Sequence, residues 1–304
     1  MSTILIAGGT GLIGMHLSRL LHERGHTVLH LSRTRDLTAE FPQYEWDVMT
    51  KTVDTEAIEQ ADIVVNLAGA GIADKRWTEE RKQLIIDSRV EGAKTLEQHF
   101  RTVKAPRAYI ASSAIGYYGD RGEEILTERS GPGEGFLSQS CVLWEQASRG
   151  VGEVEGVRLA IIRTGIVLAL DGGALSKMLP PFKLRVGNYF GDGEMYYSWI
   201  HIHDLCRIFV RAIEDEGMSG IYNAVGPNPT PNKAFAKGIR EALPHGAVLI
   251  PVPEKAIQLA MGEMSHVVLD STRVIPARLA ETGFTYDYPH LVEAMKALLE
   301  QEGG

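Results

Sequence analysis

The chain has 304 residues, 44% hydrophobic and 23% charged, a balance that suits one large α/β domain with a smaller appendage. Its net charge of −8 excludes nucleic acid and an anionic membrane as the main partner, and two cysteines, Cys141 and Cys206, exclude a disulfide framework and a zinc-type metal site. No apolar run reaches the roughly 18 residues of a membrane span, and strand-forming residues from Ile4 leave no room for a signal peptide, so the expected location is cytoplasmic.

Ile4, Leu5, Ile6 and Ala7 form a short apolar run. Gly8-Gly9-Thr10-Gly11-Leu12-Ile13-Gly14 follows at once, then a periodic stretch through Leu17, Leu20 and Leu21 to Gly25. The order predicts a buried strand, a glycine-rich turn and an amphipathic helix. Gly8 permits the tight turn, Gly11 lets the backbone approach a pyrophosphate, and Gly14 lets the helix pack on the strand. Free N–H groups at the helix start, with the positive end of its dipole, would face the phosphates. This is a dinucleotide-binding pattern.

A second strand, Thr27 to Leu31, ends at Ser32-Arg33, where the adenosine ribose belongs. An acidic residue there would favour NAD. Ser32, Arg33 and Arg35 instead suit a 2′-phosphate, so NADP is the expected cofactor. Tyr44 to Asp47 reads as a third strand, with Asp47 either accepting from the adenine amino group or capping the next turn. Ala61 to Asn66 reads as a fourth, running into the small-residue turn Leu67-Ala68-Gly69-Ala70. Such a turn lets a cofactor lie against the backbone.

A long polar helix is expected from about Thr78 to Val103, with Ser88-Arg89 in its middle and Arg89 facing the cofactor. Ala108 to Ser113 is the fifth strand, followed by Ala114-Ile115-Gly116-Tyr117-Tyr118-Gly119. Glu123 to Glu134 reads as a surface loop, Phe136 to Ser148 as a helix, and Arg158 to Leu168 as the sixth strand and its exit. After Gly172-Gly173 the chain turns rich in Met, Pro and aromatics. Tyr196 to Asp204, a helix from Asp204 to Glu214 and a strand from Ile221 to Val225 follow, then helical pieces up to Leu291–Leu299. Asp204 reads as the N-cap or first-turn acid of its helix. The division is residues 1–170 for the dinucleotide, with later strands returning to it, and 171–304 for a substrate lobe.

Taken together, Gly8–Gly14, Leu31-Ser32-Arg33, Val65–Gly69, Ser88-Arg89, Trp144-Glu145, Arg163–Leu168, Ser198–Asp204 and Tyr222–Ala224 resemble the extended short-chain dehydrogenase/reductase superfamily. The closer resemblance is to its atypical NAD(P)-dependent epimerase-like subfamily with a small extra C-terminal domain. That implies a Rossmann-type, doubly wound parallel sheet with a smaller C-terminal α/β substrate lobe, and NADP as ligand. Ser32 and Arg33 would hold the adenosine phosphate, and Leu67 and Ala68 would line the path to the ribose. Arg89 would reach the cofactor, and Ile166 would sit near the nicotinamide. The superfamily's four-helix dimer face would put the long helix at a homodimer interface.

The superfamily's Ser, Tyr and Lys set departs here. The Tyr is the acid/base, the Lys four residues later lowers its pKa, and the Ser holds the substrate oxygen. No tyrosine in this chain has Lys at that spacing. Aligned on Glu145, Leu137 takes the Tyr position and Cys141 the Lys position. Ser113, or Ser112, remains. Three readings follow. One is an NADP-dependent oxidoreductase or epimerase, acting on a small carbonyl or sugar-type substrate, whose acid/base group has moved to Tyr117, Tyr118 or His201. The second is a non-catalytic NADP(H)-binding redox sensor. The third is an isomerase or dehydratase of nucleotide sugars, whose diphosphate would want arginines in the second half; Arg185, Arg207 and Arg211 are there, though Arg207 and Arg211 share one helix face at i, i+4 and read equally as solvated charges.

Overall fold

The computed structural model describes residues 1–301. Its main sheet runs, edge to edge, Gly220–Ala224, Arg158–Thr164, Ala108–Ala114, Ile63–Asn66, Thr3–Ala7, Thr27–Ser32, Gln43–Asp47 and Thr52–Val53. All neighbours are parallel except the last pair, an antiparallel turnback. The first strand carries no polar alternation because both of its faces are buried. Ile4 and Ile6 join one apolar cluster with Leu17 and Leu21 of the helix Leu12–Glu23 and with Leu205 and Phe209 of the helix Ile202–Glu214. Leu5 and Ala7 join another with Ala93, Leu96 and Phe100 of the long helix Glu79–Thr102. Helices thus cover both faces, a Rossmann-type architecture.

Strand order reverses at the first strand. The chain moves outward to Gln43–Asp47, then crosses back to Ile63–Asn66 on the other side. The crevice at that switch point, beyond Ala7 and Asn66, is where such sheets hold ligands. Gly8 sits in it at φ +78°, with the backbone of Leu67 and Ala68 about 3 Å from where its Cβ would lie.

Two expected elements differ in detail. The sixth strand does not run through to Leu168. It breaks at Gly165, whose Cβ would lie 2.4 Å from Ser198 O, and Ile166–Leu168 leaves the main sheet to pair with Trp199–His201. The N-cap of the following helix is His201, not Asp204: His203 N donates to His201 Nδ1 at 3.1 Å. Asp204 is the first-turn acid, buried, and accepts from the Asp287 and Tyr288 amides at 2.9 Å each. It therefore ties the C-terminal region to the sheet. The rest of the second half adds a parallel pair, Val186–Phe190 with Val248–Val252, and the helices Gly173–Lys183, Asn232–Ala242 and Leu291–Gln301. Among the described residues no helix is long and apolar enough to cross a membrane.

Two buried histidines make the fold acid-sensitive. His30 lies under the glycine loop, with Nε2 2.7 Å from Ser18 Oγ. Ser18 Oγ donates its own proton to Gly14 O, so His30 Nε2 carries the shared hydrogen and Nδ1 stays bare. Burial pushes His30 down to about 4, and burial, with His203 and His16 adding, pushes His201 down to about 4. Both folded values lie below the unfolded one. Their contribution to stability is therefore full above about pH 6.5 and is lost as pH falls towards 4. Urea midpoints at about pH 7, 6 and 5 are expected to fall stepwise, and a flat profile would contradict the assignment.

Candidate active site

The glycine loop builds an anion cradle from backbone alone. Gly8 N, Gly9 N and Gly11 N donate to Leu31 O, Ile6 O and Gly8 O. The helix then starts at Leu12 with Gly11 as N-cap and no side-chain cap. The first amides of the helix, at Leu12, Ile13 and Gly14, have no intrahelical acceptor. Thr10 and Gly11 are exposed and Leu12 and Ile13 half-buried. A Cβ on Gly11 would meet only Gly8 O, at 3.3 Å, so its outer side is open for a phosphate. Gly14 is the reverse: a Cβ there would lie 2.5 Å from Gly9 O and 2.6 Å from Gly8 O.

At the end of the second strand, Ser32 is buried; its hydroxyl accepts from Thr34 N at 3.3 Å and donates to Gln43 Oε1 of the neighbouring strand at 3.0 Å. Arg33 is exposed and, among the described residues, makes no hydrogen bond or ion pair. Arg35 is held elsewhere. It pairs with Asp54 and Glu56 and lies 5.1 Å over the Tyr44 ring. Asp47 caps a turn, accepting from Met49 N at 2.8 Å.

On the other side of the crevice, Asn66 Oδ1 receives Ala68 N at 3.1 Å and shapes the turn through Leu67 and Gly69. Arg89 lies across Gly69, whose Cβ would sit 2.9 Å from the guanidinium carbon. Arg89 Nη1 donates to Ala70 O at 3.0 Å and Ile85 O at 2.9 Å, and the guanidinium packs 5.0 Å over the Trp144 ring. Burial lowers its pKa, but a guanidinium remains charged. Ile166 is half-buried, at the start of the strand that leaves the sheet.

The four acid/base candidates are not brought together on one cavity. Ser113 is 2% exposed and gives its hydroxyl proton to Glu145 Oε1 at 2.8 Å. Glu145 also receives Arg163 Nε at 2.7 Å and Nη2 at 2.8 Å, and both side chains are wholly buried. Arg163 Nη1 donates to Tyr118 OH, which donates to Asn223 Oδ1 at 2.7 Å. Burial raises the Tyr118 phenol, and its ring is fully enclosed. Tyr117 is half-buried, its ring 3.4 Å from the Arg163 guanidinium carbon. His201 is 2% exposed, caps its helix and stacks on Tyr288 with ring centroids 4.0 Å apart. Ser112 projects from the opposite face of the strand to Ser113, as strand alternation requires, and has only a 3.5 Å contact with Ser113 O.

Leu137 and Cys141 both project from the helix Gly135–Gly152 towards Gly116. A Cβ on Gly116 would touch Leu137 at 3.4 Å and Cys141 Sγ at 3.8 Å. Burial, with Glu145 adding, pushes the Cys141 thiol up to about 11, so it is neutral. Next to them opens a cavity of about 610 Å³. Trp77, Phe136 and Leu137 line it together with Glu263, His266 and Asp270. These last three were missed in the sequence. The local signal was a His and an Asp four residues apart, and nothing in the pattern placed them on the cavity that Leu137 lines.

A profile of the NAD dependent epimerase/dehydratase family matches residues 4–225, and one of a domain of unknown function, DUF1731, matches residues 252–298. The chain belongs to the NAD dependent epimerase/dehydratase family. Epimerase family protein YfhF of Bacillus subtilis is 34% identical over 97% of this chain and 97% of its own. The crystal structure of human epimerase family protein SDR39U1 (isoform 2) with NADPH is 32% identical and superposes with a TM-score of 0.88, over 98% of this chain and 99% of that one. UDP-N-acetylglucosamine 4-epimerase from Bacillus cereus, 16% identical with a TM-score of 0.79 over 100% of this chain and 97% of its own, shares the fold. Of the three arginines that a nucleotide-sugar diphosphate would call on, two are committed to other partners here. Arg207 pairs with Asp204 and Asp287, Arg211 donates to Thr282 O, and Arg185 is exposed in a left-handed turn.

Proposed function

We propose that this family member binds NADP(H) and carries out oxidoreduction or epimerisation of a small carbonyl or sugar-type substrate in the adjoining cavity. The observation that carries the reading is the cradle itself. Free amides at Leu12 to Gly14, a free Arg33 and the guanidinium of Arg89 all lie around one crevice at the carboxyl edge of the sheet. The residues fit the dinucleotide. Gly8, Thr10, Gly11, Leu12, Ile13 and Gly14 would hold its diphosphate, Ser32 and Arg33 its 2′-phosphate, and Leu67, Ala68 and Gly69 its ribose path. Arg89 and Ile166 would meet the nicotinamide end. Arg89 then supplies, from a different helix, the positive charge absent at Cys141. Arg35 would act only if released from Asp54 and Glu56. The bound dinucleotide supplies a hydride. The dinucleotide contacts would come from residues 1–170, with Ile202–Ala224 returning to the sheet, and both parts would wall the substrate cavity, Trp77, Phe136 and Leu137 from the first and Glu263, His266 and Asp270 from the second. NADPH bound to human SDR39U1 supports the same reading.

A non-catalytic NADP(H) sensor is the second reading, favoured by Leu137, which has no titratable proton, and by the neutral thiol of Cys141. Calorimetric titration separates the cofactor question from both. NADPH is expected to bind at micromolar concentration or tighter and in preference to NADH. Arg33→Ala is expected to weaken NADPH by about tenfold or more, the worth of one charge-assisted pair, with little change for NADH. Equal loss for both would remove the 2′-phosphate assignment.

A further inference from the structure

We infer that His266 and Asp270 are the acid–base pair of this site, giving from the C-terminal region the proton that Leu137 cannot give. This rests on the catalytic reading above. His266 Nδ1 lies 2.7 Å from Asp270 Oδ1. With its hydrogen on Nδ1, the ring leaves Nε2 open. The His266 side chain is 60% exposed and that of Asp270 is 16% exposed, so the ring is reachable and the carboxylate is anchored. Both line the same cavity as Leu137. An orienting carboxylate behind an imidazole with one free nitrogen is the arrangement that proton transfer needs.

The pair is held firmly for so short a helical piece. Ser271, the next residue, donates from N to Asp120 Oδ1 at 3.2 Å and from Oγ to Gly122 O at 2.6 Å, and Arg121 N donates to Ser271 O at 3.0 Å. On the other side, Glu263 pairs with Lys82 of the long helix, and Arg76 Nη2 donates to Ala260 O at 2.6 Å. The segment is therefore strapped to the loop after Tyr118 and to the helix that carries Arg89. The charged groups facing the cavity are Asp120 and Arg121 from that loop, Glu134 before the helix Gly135–Gly152, and Glu263 from the segment itself. Arg121 is neutralised by Glu124 at 2.7 Å.

In a reduction the carbonyl carbon gains the hydride of the reduced dinucleotide, which is left oxidised. The carbonyl oxygen gains the proton of His266 Nε2. The ring is left neutral, still hydrogen-bonded through Nδ1 to Asp270, and solvent returns the proton. An exposed His–Asp pair elsewhere, His203 with Asp287 at 3.1 Å, provides a control of the same type away from the cavity.

The test follows NADPH oxidation by the full chain with 9,10-phenanthrenequinone as probe carbonyl. His266→Gln is expected to lower kcat/KM on the order of 100-fold and to abolish the fall in rate at alkaline pH. Asp270→Asn is expected to move that fall to lower pH, and His203→Gln to change neither. Calorimetric NADPH affinity and melting temperature should hold in all three. Independently of turnover, histidine 15N NMR should place the His266 proton on Nδ1 and show its ring resonances moving when the quinone is added to the NADP+-loaded protein. An unchanged rate and pH profile in His266→Gln overturns the inference, as do unmoved His266 resonances. NADPH binding without oxidation by the wild-type chain defeats the catalytic reading instead, and the resonance shift alone then decides whether His266 faces the ligand.

Discussion

Replacing Arg163 with methionine is expected to lower the unfolding free energy by about 3–5 kcal/mol, read from urea midpoints at neutral pH. The guanidinium is 1% exposed and the Glu145 carboxylate 0%, with two hydrogen bonds between them at 2.7 and 2.8 Å. Burial works against the Arg163 charge, yet the Glu145 carboxylate and Tyr118 outweigh it and raise its pKa. Removing the arginine leaves Glu145 with only the hydroxyl of Ser113 and the half-exposed Arg149, 3.1 Å away. An uncompensated buried carboxylate is what makes such a loss large. Glu145→Gln combined with Arg163→Met should recover part of it, because the orphan charge is gone. A single-variant loss below about 1 kcal/mol would show that water reaches Glu145.

The largest expected effect on binding comes from Gly14→Ala. Its Cβ would stand 2.5 Å from Gly9 O and 2.6 Å from both Gly8 O and the Gly9 α-carbon. Every one of these atoms is backbone, so no side chain can swing aside. The loop itself must shift, and the amides that face the phosphates shift with it. A loss of about 100-fold or more in NADPH affinity, about 2.7 kcal/mol, is expected by calorimetry, with far-UV circular dichroism unchanged. Wild-type affinity in this variant would show that the loop adapts without moving its amides.

Local chemistry explains which parts were legible in advance. The strand, glycine turn and helix from Ile4 to Glu23 are contiguous, so their pattern lies within one window of sequence. The same holds for the long helix, whose cap Thr78 accepts from Arg81 N at 3.2 Å. Partners remote in the chain were not legible. Arg35 reads as a phosphate ligand until Thr55–Gln60 brings Glu56, with its cap Asp54, alongside it. Tyr118 reads as a free phenol until Asn223, 105 residues on, takes its hydroxyl. The break at Gly165 depends on Ser198 O, and the His201 cap on a helix that starts two residues earlier than the acid at Asp204 suggests. His266 and Asp270 are adjacent on one turn, so their pairing is local, but their place on the cavity that Leu137 lines is set by Ser271 bonding to Asp120 and Gly122.

The strap formed by Ser271 also orders events in time. Translation runs from the amino end, and the glycine loop, Ser32, Arg33 and Arg89 all emerge before the first third of the chain is complete. Glu263, His266 and Asp270 emerge more than half a chain later. A nascent polypeptide thus has the glycine loop, Ser32, Arg33 and Arg89 in place while its substrate cavity still lacks part of its lining, and that cavity is completed only once Glu263, His266 and Asp270 have followed.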